Sequence, residues 1–217
     1  MESYKIEKIL NGRLAEFCYL LHDENSKECI CVDPGYDSER IFRVIDKENF
    51  IIKEILLTHG HFDHTLSCYD MQKRFGSNVY ISKEDEELLF NAEHNYANLI
   101  NKTSFEKFEI KKFLYDNDEL ELLGYNVKCI STPGHTKGGM SFYFEDKKLL
   151  FSGDTLFYET YGRTDLYGGS YVDIKNSIEN KLFTLPNDVM VYPGHGDATS
   201  IGKEKLHNEI RRMSYEL

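Results

Sequence analysis

Three histidines and an aspartate fall within His59-Gly60-His61-Phe62-Asp63-His64, directly after the apolar run Glu54-Ile55-Leu56-Leu57-Thr58. The run reads as a buried strand, so the polar cluster sits at a strand end. Imidazoles and a carboxylate crowded out of water need a partner. A divalent cation supplies one, and a mixed nitrogen and oxygen donor set suits zinc, iron or manganese better than copper(I) or calcium. A loop this short cannot easily turn all these side chains onto one centre. His59 and His61 can face one way while Asp63 and His64 face another, which points to two ions. A solvated polar turn with a chance histidine run would account for this stretch alone, but not for what the rest of the chain adds.

The same device recurs three times. A strand from Gly124 to Ser131 ends in Thr132-Pro133-Gly134-His135, one from Lys148 to Phe151 in Ser152-Gly153-Asp154, and one from Asp188 to Tyr192 in Pro193-Gly194-His195. Proline cannot donate to a ladder and glycine permits unusual torsions, so each strand stops abruptly where it presents a ligand type. His135, Asp154 and His195 thereby join His59, His61, Asp63 and His64. Between them, Ala15 to Leu21 and Glu28 to Val32 read as strands, Met140 to Phe144 and Val79 to Ile81 as two more, and Ser38 to Lys47 as an amphipathic helix. Cys68, Met71 and Phe75 mark a helix that Gly76 stops. Asp33, in Val32-Asp33-Pro34-Gly35, fits a turn and fits equally a group that orients a ligand histidine. The stretch 82–113 reads as one or two rim helices forming a lid, with His94 a solvated helix residue. Ser170 caps a helix running to about Phe183, and Ser200 to Glu216 reads as one or two polar helices.

With 217 residues, 41% of them hydrophobic, the chain suits one globular domain over 1–217. Its formal charge of −11 is interrupted by no basic block, so no nucleic-acid partner is expected. No apolar run approaches the roughly 18 residues of a membrane span, and the first residues lack the apolar core of a secretion signal. The expected setting is the cytoplasm, without a membrane partner. Cys18, Cys29, Cys31, Cys68 and Cys129 are odd in number and form no Cys-x-x-Cys pair, which suits reduced, buried thiols.

The ordered set His-x-His-x-Asp-His, Pro-Gly-His, Gly-Asp and Pro-Gly-His resembles the metallo-β-lactamase superfamily of metallohydrolases over essentially the whole chain. The resemblance implies an α/β fold: an αββα sandwich of two mixed sheets flanked by helices, with the metals at one edge. It also implies that His59, His61 and His135 bind a first metal, that Asp63, His64 and His195 bind a second, and that Asp154 bridges them. The cofactors so implied are two divalent ions, zinc foremost, with iron or manganese as alternatives. β-Lactamases of the commonest subclass carry cysteine where this chain has Asp154, which argues against antibiotic hydrolysis. Gly153-Asp154-Thr155-Leu156-Phe157, Gly162-Arg163-Thr164-Asp165-Leu166 and Gly168-Gly169-Ser170 most resemble the short glyoxalase II-like, or hydroxyacylglutathione hydrolase-like, branch. Full-length glyoxalase II adds a helical glutathione-binding domain, whereas 22 residues follow His195 here.

The implied activity is hydrolysis of a small-molecule thioester by a hydroxide shared between the two metals, with Asp63 orienting it. Arg163, Tyr158 and Tyr161 are the candidate substrate contacts. Arg163 can clamp a carboxylate or brace its loop through Asp165, and local satisfaction favours bracing. Two alternatives use the same motif islands. One is a persulfide dioxygenase with a single iron on His59, His135 and Asp154, and the other is a hydrolase of another ester such as a lactone or phosphodiester.

Overall fold

The computed structural model describes residues 4–211. Two six-stranded mixed sheets pack face to face with helices on both outer faces, the αββα arrangement. The first sheet comprises β1 (Tyr4–Asn11), β2 (Glu16–Asp23), β3 (Glu28–Val32), β4 (Ile51–Leu56), β5 (Asn78–Ser82) and β6 (Lys112–Leu114), in that order. The second comprises β7 (Glu119–Leu122), β8 (Tyr125–Ser131), β9 (Met140–Phe144), β10 (Leu149–Gly153), β11 (Met190–Pro193) and the short β12 (Thr199–Ser200). Pairing is parallel from β3 through β6 and between β10 and β11, and antiparallel elsewhere.

Strand alternation sorts the core into layers. On β3, Ile30 and Val32 join Tyr19, Leu56, Phe142, Phe144 and Phe151 between the sheets. The intervening Cys29 and Cys31 face outward, where α1 (Ser38–Glu48) supplies Ile41 and Ile45 and α3 (Cys68–Phe75) supplies Met71. On the opposite face Ile130 and Leu150 meet Ile174 and Ile178 of α4 (Tyr171–Asn180) and Ile201 of α5 (Ile201–His207). All five cysteines are free and buried within these layers. Among the described residues no helix is long and apolar enough to cross a membrane.

Caps follow the local chemistry. Asp37 accepts from Arg40 N at the start of α1, Ser170 accepts from Asp173 N at the start of α4, and Gly76 closes α3 in the left-handed region at φ 67°. Some expectations need correction. Strands β1, β6 and β7 went unread, because β1 carries Glu7 and Lys8 on an edge, β6 has three residues, and β7 alternates leucine with glutamate. The stretch 82–113 forms no α-helix: Lys83–Phe90 and Ala97–Ile100 are 3-10 turns, and the rest is irregular up to β6. Tertiary bonds made by Asp85, described below, override its helical composition. Of the span Ser200 to Glu216, α5 covers Ile201–His207, and 212–217 lie outside the described residues.

Candidate metal centre

β8, β10 and β11 run in one direction, so their C-terminal ends share an edge, and β4 ends opposite them across the sandwich. Beyond β4, His61 is the N-cap of the single-turn α2 (Phe62–Thr65), which carries Asp63 and His64 inward. The loops are tied to one another by backbone bonds. Met140 N donates to Thr58 O across the sheets at 2.8 Å, Gly194 N to Gly153 O at 2.9 Å, and Phe17 N to Gly194 O at 2.8 Å. Gly194 allows a close approach to two candidate ligand side chains: a Cβ there would lie 2.2 Å from Asp154 Oδ1 and 2.6 Å from His64 Cε1.

The structure brings all seven candidate ligands together. His59, His61 and His135 form one group and Asp63, His64 and His195 another, each with donor atoms within 4.8 Å of one another. Asp154 lies between the groups, 3.5 Å from both His64 Nε2 and His135 Nε2 and 3.4 Å from His195 Nε2. Asp63 Oδ2 lies 3.5 Å from His195 Nε2. Nδ1 of His61 and Nε2 of His135 converge to 3.0 Å.

The outer ring atoms are anchored, which fixes which nitrogen faces inward. His135 Nδ1 donates to Arg163 O at 2.8 Å, His195 Nδ1 to Leu14 O at 3.1 Å, and His64 Nδ1 to Asp33 Oδ2 at 2.9 Å. Asp33 also accepts from Thr58 N and Thr58 Oγ1, so it orients a cluster histidine as well as ending a strand. Nε2 of His59, His61 and His64 and Oδ1 of Asp154 are buried without a hydrogen-bond partner. Polar atoms in that condition are costly unless something absent from the chain completes them. This donor set fits divalent cations.

Charge agrees. Burial and the neighbouring imidazoles hold His59 neutral, and burial, then His135, pulls His61 down to about 3. Burial opposes charge on His64 and His195 too, but Asp154 and Asp63 outweigh it, raising His64 to about 9 and His195 to about 11. Against its own burial Asp154 is held well below the usual carboxylate range, chiefly by His195 and His64. Two imidazolium ions thus offset the carboxylates of the metal-free chain. Cations would take over that role.

Two buried carboxyls beside the cluster escaped sequence reasoning. Asp85 Oδ2 accepts from Gly60 N at 2.9 Å and Thr136 Oγ1 at 2.7 Å, and Oδ1 accepts from Gly138 N at 2.7 Å, locking the first histidine loop to that of His135. Those partners lie 25, 51 and 53 residues away, so no local spacing announces them. Glu16 is buried with neither oxygen bonded. Burial, then Cys18, Asp33, Asp63 and Asp154, pushes its pKa well up.

A cavity of about 580 Å³ opens over the cluster, its walls including Leu14, Phe62, Leu99, Phe157, Tyr161 and Leu166. Arg163 borders it but is forked onto Asp165, with Nε to Oδ1 and Nη2 to Oδ2 both at 2.7 Å. Tyr158 lies off the cavity, its hydroxyl accepting from Lys203, whose ammonium sits 3.7 Å over the ring. His94 is in a turn rather than a helix, stacked on Tyr167 at 3.6 Å. Tyr167 N donates to Tyr96 OH at 2.7 Å, and the Tyr96 ring packs edge-on to His61. The rim is thereby tied across to the loop carrying Arg163.

Comparison with known proteins agrees with this architecture. A profile of the metallo-β-lactamase superfamily matches residues 11–195. The hydroxyacylglutathione hydrolase GloC of Haemophilus influenzae is 34% identical over 192 residues, covering 88% of this chain and 90% of that one. Among solved structures, the BLEG-1 B3 metallo-β-lactamase superposes with a TM-score of 0.89 at 32% identity, over 94% of this chain and 98% of that one. TTHA1623 in a di-iron-bound form gives 0.82 at 28% identity, over 93% and 98%.

Proposed function

The chain belongs to the metallo-β-lactamase superfamily, and on that premise we propose that it is a dinuclear metallohydrolase cleaving a small thioester of the hydroxyacylglutathione kind. The observation that carries the reading is the pair of three-ligand groups with Asp154 between them and buried imidazole and carboxylate atoms left unpartnered. A single-iron dioxygenase would use His59, His135 and Asp154 of the same motif islands, so the number of ions bound separates the two readings. The likeness to GloC supports the thioester as substrate.

His59, His61 and His135 would hold one ion, Asp63, His64 and His195 the other, with Asp154 shared. Zinc is the ion proposed, and the di-iron form of TTHA1623 supports iron as the alternative. Bound there, the ions supply Lewis-acid polarisation of the carbonyl and a lowered pKa for water at the site. The chain's own groups do the rest. Asp63, on the cavity floor, accepts a hydrogen bond from the attacking water and aligns it. The anchors on His64, His135 and His195 keep the donors from reorienting as charge develops. Phe62, Phe157 and Tyr161 keep bulk solvent off the floor. Water adds to the thioester carbon, the C–S bond breaks, and the products are a carboxylate and a thiol, with one proton released. Five free thiols support a cytoplasmic setting.

A second reading, opening of a β-lactam, draws support from the likeness to BLEG-1. Metal content of anaerobically purified protein, measured beside hydrolysis of S-D-lactoylglutathione and of a chromogenic cephalosporin, tests both. Two ions per chain with thioester turnover is expected. Turnover of the cephalosporin alone would select the second reading, and one iron with persulfide-dependent oxygen uptake would overturn both.

A further inference from the structure

The cavity walls contrast with its floor. Leu14, in the turn between β1 and β2, is 54% exposed, and Leu99, in the 97–100 turn, is 74% exposed, yet both border the cavity. Single exposed leucines are ordinary. Two of them on separate segments at one mouth, continued inward by Phe157, Leu166 and Tyr161, make an apolar wall with a reactive centre beneath it.

Among the described residues bordering the cavity, Arg163 is the one lysine or arginine, and Asp165 occupies its fork with both oxygens. The carboxylates of the floor, Asp63 and Asp154, belong to the candidate metal ligands, and the chain as a whole carries −11. Above the floor, where ions would be held, a carboxylate on the non-reacting part of a substrate meets no unengaged lysine or arginine among these residues and must compete with Asp165, which is tethered two residues from Arg163. An alkyl chain finds carbon on several sides and loses only water.

We propose that the cavity selects a thioester whose non-reacting part is uncharged and apolar, with Asp165 as a specificity-determining residue that masks Arg163. The inference rests on the thioesterase reading for the reacting group, but the wall chemistry stands apart from it. S-D-lactoylglutathione, with two carboxylates against one ammonium, is on this view turned over but bound less tightly than a medium-chain acyl thioester of a neutral carrier.

Binding of non-hydrolysable thioethers to the metal-loaded protein, followed by titration calorimetry, tests the inference without requiring turnover. S-hexyl-N-acetylcysteamine should bind roughly 30-fold more tightly than its S-methyl counterpart, from the added methylenes only partly buried at an open mouth. S-hexylglutathione should bind no more tightly than the neutral hexyl compound. Leu99→Glu should weaken the hexyl compound roughly tenfold. Asp165→Asn should shift the affinity ratio toward S-hexylglutathione by about 3- to 5-fold, the scale of releasing an exposed ion pair. Tenfold tighter binding of S-hexylglutathione, an unchanged ratio in Asp165→Asn, or no loss in Leu99→Glu would overturn the proposal. Binding as expected with no thioester of either kind hydrolysed would support the apolar cavity and sink the thioesterase reading.

Discussion

Replacing Asp33 by asparagine changes one atom beside the centre and leaves every candidate ligand residue itself unsubstituted. In the native chain the two oxygens of Asp33 receive Thr58 N–H at 2.7 Å, the Thr58 hydroxyl at 2.6 Å and His64 Nδ1–H at 2.9 Å. In this arrangement each of the three donates, so an amide NH2 placed in either oxygen position faces a group that was donating. If the amide oxygen keeps Thr58 N–H, the NH2 faces His64, whose proton must move to Nε2, the atom that faces Asp154. If the amide is flipped, the buried Thr58 N–H loses its acceptor, at a cost of about 1–3 kcal/mol. The first arrangement keeps the fold and spoils the donor. Losing such an orienting partner weakens metal binding by about 10- to 100-fold, or about 1.4–2.8 kcal/mol. Competition with a chromophoric chelator at pH 7 should therefore show one ion weakened by that factor and the other affected less, while cooperative thermal unfolding persists. Two ions bound at native affinity would refute the reasoning, because His64 would then be neither oriented by Asp33 nor needed by the second ion.

Other consequences are equally accessible. Chelation should abolish thioester hydrolysis, with recovery on adding two equivalents of metal; full activity in verified metal-free protein would end the metallohydrolase reading. Gly194→Ala forces a Cβ to 2.2 Å from Asp154 Oδ1 and should cost metal content, read by elemental analysis, while circular dichroism stays native. Asp85→Ala strands Gly60 N and Gly138 N in a buried setting and should destabilise the protein by about 2–4 kcal/mol in urea titration; a loss under 1 kcal/mol would contradict it. In the metal-free chain His64 is raised from 6.5 to about 9 and His195 to about 11. A raised folded-state pKa contributes stability that is whole below the unfolded value and is lost as pH climbs through the folded one. The metal-free protein should thus melt at falling temperature from about pH 7 to 10, through the window set by His64. Metal loading near neutrality should release protons, seen as buffer-dependent enthalpies in calorimetry, and buffer-independent heats would exclude this.

The set of candidate ligands that cluster was legible because a strand end is a local event. An apolar run, a proline or glycine stop and an imidazole or carboxylate lie within a few residues at His59, His135, Asp154 and His195, and their order along the chain resembles one superfamily. The layer pattern was legible for the same reason, since alternation in β3 or β10 is written in neighbouring residues. Other decisions had no local signature. Asp33 could be a turn or an orienting group until the fold set His64 2.9 Å away. Asp85 has no local signature either, since its partners are 25, 51 and 53 residues distant. The helical composition of 82–113 lost to those bonds, because three hydrogen bonds to one buried carboxylate outweigh the few tenths of a kcal/mol per residue that propensity contributes. Whether Leu14 and Leu99 line one mouth, and whether Arg163 meets a substrate or Asp165, are questions of distance between segments. Composition and spacing determine what each segment carries; only the packed sheets determine what it meets.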